Sequence, residues 1–107
     1  MAAVKGGANS ESMAETKSLT NYRITDHARD EMARCQITAA EVVRVLAAPE
    51  QIETVREGRE VYQSRLQAGD PPTIYLLRVF VDSDRFPPDV VTVYRSSKVA
   101  KYWRTAT

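Results

Sequence analysis

The chain has 107 residues, 43% of them hydrophobic, with 15 Lys and Arg against 14 Asp and Glu and one histidine. That suits one small soluble domain with a single modest core, and the near balance of charge leaves nucleic-acid binding, if any, to a local patch. No run approaches the roughly 18 apolar residues of a membrane span, and the N-terminal MAAVKGGANSESMAETKS lacks the apolar stretch of a secretory signal, so a cytoplasmic protein with no membrane partner is expected.

Residues 1–20 are rich in Gly, Ala, Ser, Asn and Glu with almost no periodic apolar pattern, the composition of a disordered leader. Residues 21–104 form the expected single domain. Its first element is a short helix within ITDHARDEMARCQIT, residues 24–38. Thr25 or Asp26 can cap it, and Ala28, Met32 and Cys35 recur at helical spacing as an apolar stripe. His27, Glu31 and Arg34 lie together on the flank of that stripe. An imidazole that titrates near neutrality beside a carboxylate and a guanidinium suits proton transfer or phosphate contact; the same trio also describes an ordinary solvated flank with i,i+4 decoration. Cys35 is alone, which excludes an intramolecular disulfide and a multi-cysteine zinc site. It sits about 80° round the helix from His27, poorly placed for activation by that base, and is read as a buried structural thiol.

Thr38 with Glu41 three residues on makes a capping box for a second helix, whose buried face is supplied by Val42, Val43 and Leu46. Pro49 stops it. The period then changes from 3.6 to 2. Residues 52–55 and 60–66 read as a hairpin joined through Glu57-Gly58-Arg59. The turn-rich Gly69-Asp70-Pro71-Pro72 leads to residues 74–81, IYLLRVFV, a strand buried on much of both faces with Arg78 as its exception. A polar loop containing Pro87-Pro88 precedes the β-branched strand VVTVY at 90–94. Its alternation allows either Val91 and Val93, or Val90, Thr92 and Tyr94, to face the helices. The ending SSKVAKYWR is a short helical turn or an extended arm that returns Tyr102 and Trp103 to the sheet.

These elements assemble into an α+β domain: two N-terminal helices packed on one face of a four-stranded antiparallel meander, with a short aromatic and basic tail. The opposite sheet face then collects Tyr62 or Gln63, Arg65, Arg78, and Thr92 or Tyr94 with Arg95. Guanidinium groups interleaved with aromatic rings are what single-stranded nucleic acid requires, although a solvated sheet face with cross-strand pairs has the same make-up. The lone histidine and scattered carboxylates offer no recognisable ligand set, so neither metal nor cofactor is expected.

The run ITDHARDEMARCQIT, Glu41-Val42, Pro49, Val61-Tyr62, LLRVFV and the ending VVTVYRSSKVAKYW together resemble domain-of-unknown-function family 4258, over roughly residues 22–104. That family is similar in architecture to the RelE, barnase and colicin-type ribonuclease toxins. The resemblance implies a metal-independent endoribonuclease that cleaves RNA through a 2′,3′-cyclic phosphate. His27 would be its general acid or base, and Arg78, Thr92 and Tyr94 its phosphate and transition-state contacts. Arg34, Arg65, Arg95 and Lys98 complete the cationic stock for RNA. Gln36-Ile37 stands where the family often has Gly and an aliphatic residue, a departure that falls on the interhelix turn. His27 starts the helices that cover one sheet face and the other candidates lie on the opposite face, so only a sheet edge can join them.

Three classes of function follow. A toxin-type ribonuclease requires His27 in a cleft with cations in reach of one phosphate. A non-catalytic module that binds a protein such as a cognate antitoxin requires an exposed patch around Tyr102 and Trp103. A nucleic-acid binder without cleavage requires strong salt dependence and stacking on Tyr62 or Tyr94.

Overall fold

The structure, a computed structural model, describes residues 18–105. In chain order it comprises β1 (Arg23–Ile24), α1 (Asp26–Cys35), α2 (Ala39–Ala47), β2 (Gln51–Arg56), β3 (Arg59–Ala68), β4 (Thr73–Asp82), β5 (Asp89–Ser96) and the one-turn α3 (Val99–Tyr102). The five strands lie in the order β1-β5-β4-β3-β2. The expected antiparallel meander is β2 to β5; β1 adds a parallel pairing with β5 at Arg23–Asp89 and Ile24–Val90, so the sheet is mixed and five-stranded rather than four-stranded. The leader expected over 1–20 lies outside the described residues up to 17, and just past that point the Leu19 N–H donates to the Leu46 carbonyl at 2.8 Å.

Capping chemistry sets both helix starts. Thr25, not Asp26, caps α1, its hydroxyl accepting from the Ala28 N–H. Thr38 and Glu41 form the reciprocal box at α2, at 3.1 and 2.9 Å. Between the helices Gln36 adopts the left-handed conformation, φ 58°, so the turn keeps a shape that glycine takes at no steric cost.

The helices cover one sheet face, with Ala28, Met32, Ile37, Val42, Val45 and Leu46 packed on Tyr62, Leu77, Val79, Val81, Val90 and Val93. Val43, expected inside, is instead half exposed. The inward set is 42, 45 and 46, the i, i+3, i+4 stripe of a single helix face. Cys35 is only partly buried, packed against the edge of this core. The ambiguity in β5 is resolved by a bulge: Thr92 pairs with Phe80 but Val90 pairs with Val81, one residue being extra on β5. Val90 and Val93 therefore both enter the helix-side core, while Thr92 and Tyr94 stay on the other face.

Candidate functional site

That other face carries a hydrogen-bonded polar row that crosses four strands. Gln51, Gln63, Arg78 and Tyr94 are direct register partners on β2, β3, β4 and β5. Gln63 Nε2 donates to Gln51 Oε1 at 2.7 Å, Arg78 Nε donates to Gln63 Oε1 at 2.9 Å, and Arg78 Nη1 donates to the Tyr94 hydroxyl at 2.7 Å. Gln63 is fully buried and Arg78 only 9% exposed. Among the described residues no carboxylate pairs with Arg78. Its partners are an amide and a phenol, which satisfy its donors without cancelling its charge. Phe80, stacked on Tyr94 at 5.9 Å, and Tyr102, whose ring lies 4.4 Å from the guanidinium carbon, complete an aromatic surround.

Four residues further along β4 the same face ends in a different kind of cluster. Arg59 binds Asp82 in bidentate fashion, Nε to Oδ1 at 2.6 Å and Nη2 to Oδ2 at 3.1 Å. Arg85 reaches Asp82, Asp84 and Asp89, and Arg23 reaches Asp89. The Arg59 bond holds the Asp82 carboxyl below its usual pKa. Gly58 closes this end at φ +85°, where an added Cβ would come within 2.8 Å of Asp84 Oδ2.

His27 stands apart from both clusters, in the first turn of α1 and 68% exposed at its side chain. Its Nε2 lies 3.2 Å from Glu31 Oε2, and Glu31 Oε1 accepts the Val93 N–H at 2.9 Å. Glu31 thereby ties the histidine to the outer edge of β5. Val93 is flanked by Thr92 and Tyr94, whose side chains emerge on the polar-row face. The carboxylate thus sets the histidine beside the β5 backbone.

The remaining candidates divide. Arg65 and Thr92 share the face of Arg78 and Tyr94, but Arg65 is engaged by Glu50 at 3.1 and 3.2 Å and lies under the Trp103 ring at 4.1 Å. That ion pair lowers the Glu50 pKa. Arg95 is on the helix face instead, over Tyr75 at 5.3 Å, beside a shallow apolar groove that Ile37, Leu66 and Leu77 also line. Tyr62 is a core residue on that helix face, its phenol pKa raised by burial. Arg34 and Lys98 are exposed on α1 and ahead of α3. No group of three or more His, Cys, Asp or Glu side chains able to hold a metal occurs among the described residues. The i+4 spacing alone sets Glu31 beside His27, and of the two alternatives Tyr62 and Gln63 it is Gln63 that lies on the open face. Gln51 is the residue that the sequence reading missed; its signal is register, which acquires meaning only once the strands are aligned.

An α+β sheet with helices on one face and a charged, hydrogen-bonded row on the other defines the class of this molecule. Its family follows from the sequence: the profile of a domain of unknown function, DUF4258, matches residues 24–95, and the chain belongs to that family. No curated protein and no solved structure matches it. No helix among the described residues is long and apolar enough to cross a membrane.

Proposed function

We propose that this protein is a metal-independent endoribonuclease whose site straddles the outer edge of β5. The observation that carries the reading is Arg78: a nearly buried guanidinium held in place by Gln63 and Tyr94, with its charge uncompensated by any described carboxylate. A desolvated, pre-oriented cation is what a pentacoordinate phosphate demands. The arrangement of helices and meander also suits the RelE, barnase and colicin-type architecture that the sequence resembles.

The chemistry is an internal transfer. The ribose 2′-oxygen attacks the adjacent phosphorus, the bond from phosphorus to the 5′-oxygen breaks, and the products are a 2′,3′-cyclic phosphate and a 5′-hydroxyl. One base removes the 2′-hydroxyl proton and one acid protonates the leaving oxygen. Glu31 engages His27 Nε2, so the imidazole offers Nδ1 as the base. Arg78, with Tyr94 and Thr92 beside it, meets the phosphoryl oxygens.

The test is incubation of the protein and its His27→Ala variant with mixed RNA in chelator, followed by analysis of fragment ends. Cyclic-phosphate ends produced by the wild type alone are expected, and equal cleavage by the variant removes His27 from the reaction. A second reading, a non-catalytic module for a protein partner such as an antitoxin, is favoured by the coverage of Arg78 by Tyr102 and by Phe86, 85% exposed in the loop between β4 and β5. RNA left intact by both chains selects it.

A further inference from the structure

The centre of the polar row is closed to solvent, with Gln63 and Arg78 buried and the ends Gln51 and Tyr94 partly buried. After β5 the chain makes α3 and runs back across the row, touching Gln51, Gln63 and Arg78 of it and Glu53 and Arg65 beside it. The Tyr102 carbonyl accepts from Gln63 Nε2 at 3.3 Å, and the Tyr102 ring lies on Arg78. The Trp103 ring lies on Arg65. Gln51 clasps the Arg104 backbone twice, donating from Nε2 to its carbonyl at 2.6 Å and accepting its N–H at Oε1 at 3.1 Å. The Arg104 guanidinium pairs with Glu53 at 3.0 Å.

These contacts have the form that a single-stranded nucleotide chain would make. The Tyr102 and Arg104 carbonyls accept from Gln63 and Gln51 as phosphoryl oxygens would, and aromatic rings lie against the Arg78 and Arg65 guanidinium groups as bases would. The hold is light. The helix α3 has four residues, no side-chain cap and no buried residue. Its fixing bonds join polar groups that water or a ligand can satisfy instead, so each contributes little net free energy.

We infer that residues 97–104 form a strap that occupies a phosphodiester site on Arg78 and swings away when single-stranded RNA takes over its contacts. The inference rests on Arg78 as a phosphate anchor and adds the regulation of that site. The closed strap lowers apparent affinity by the fraction of molecules it occupies. Weakening its clasp therefore tightens RNA binding.

Trp103 is the only tryptophan of the chain, so its emission reports the strap. The full chain is titrated with a 2′-O-methyl oligoribonucleotide, which lacks the attacking hydroxyl and binds without being cut. A saturable change in Trp103 emission is expected, with affinity on the order of tenfold tighter in Gln51→Ala, which loses both bonds to the Arg104 backbone. Arg104→Gln serves as a second variant that leaves the row intact; it too tightens binding, although it removes a positive charge. Emission that ignores the oligonucleotide, or variants that bind no better than wild type, overturn the strap. Unmodified RNA run in parallel separates the two readings. Tightening without cleavage keeps the strap and removes the nuclease, whereas cleavage without tightening does the reverse.

Discussion

Two arginine clusters share one face of this sheet, four residues apart along β4, and they differ in what answers their charge. Around Asp82 and Asp89, three guanidinium groups from Arg23, Arg59 and Arg85 meet three carboxylates. Around Arg78 the partners are Gln63, Tyr94 and the Tyr102 ring, all neutral. The first cluster is internally matched, and its field falls off quickly. In the second, burial costs the cation its water, and neutral dipoles return only part of that stabilisation. In the proposed reading an incoming phosphate supplies the missing counter-charge.

Breaking each cluster therefore has a different consequence. Arg78→Met should reduce RNA cleavage by about 100- to 1,000-fold, the usual cost of losing one pre-oriented donor to an oxyanion. Initial rates normalised to folded protein check this, and undiminished cleavage would detach Arg78 from the chemistry. Asp82→Asn, by contrast, should leave cleavage per folded molecule unchanged but lower stability by about 1.5 to 3 kcal/mol at neutral pH, the range for a hydrogen bond to a charged group.

The pH dependence has a definite sign. Arg59 holds the Asp82 carboxyl below its usual pKa, so its contribution is fully present above the unfolded value of about 3.9. It is lost as pH falls through the lower folded value. Denaturant midpoints of wild type and Asp82→Asn should therefore converge as pH drops below about 4; curves that stay parallel would show that the pair is not felt. Smallest of all, and touching neither cluster, Gln36→Gly should raise stability by roughly 0.5 to 1 kcal/mol by relieving a left-handed non-glycine residue. An unchanged or lower melting temperature would contradict that account of the interhelix turn.

Local signals in the sequence predicted what local chemistry determines. Thr38 and Glu41 marked the second helix because a capping box is satisfied within four residues. The apolar run of β4 announced a central strand, and Arg78 stood out within it. Features that depend on the assembled sheet were hidden. The strand β1 is two residues long and exists because the β5 edge is there to pair with. The phase of β5 could not be read by alternation because a bulge breaks the alternation between Val90 and Thr92. In AAEVVRVLA three valines fall within four positions, so the inward set 42, 45 and 46 was not separable from one that contains Val43. Arg95 was grouped with the sheet-face cations although alternation from Tyr94 turns it to the helices. The polar row needed the register of four strands at once, since a slip of one residue moves Gln51 or Gln63 to the other face.

The most direct test compares the two clusters as receivers of an anion. Binding of the 2′-O-methyl oligoribonucleotide is measured for Arg78→Met and for Arg85→Met, each shown to be folded, at low and moderate salt. Both variants lose one positive charge from a short stretch of the same chain. The account predicts that Arg78→Met abolishes saturable binding while Arg85→Met retains it with a similar salt slope. Equal weakening by both would mean that the RNA senses only net charge, and would contradict the assignment of Arg78 as the phosphate anchor.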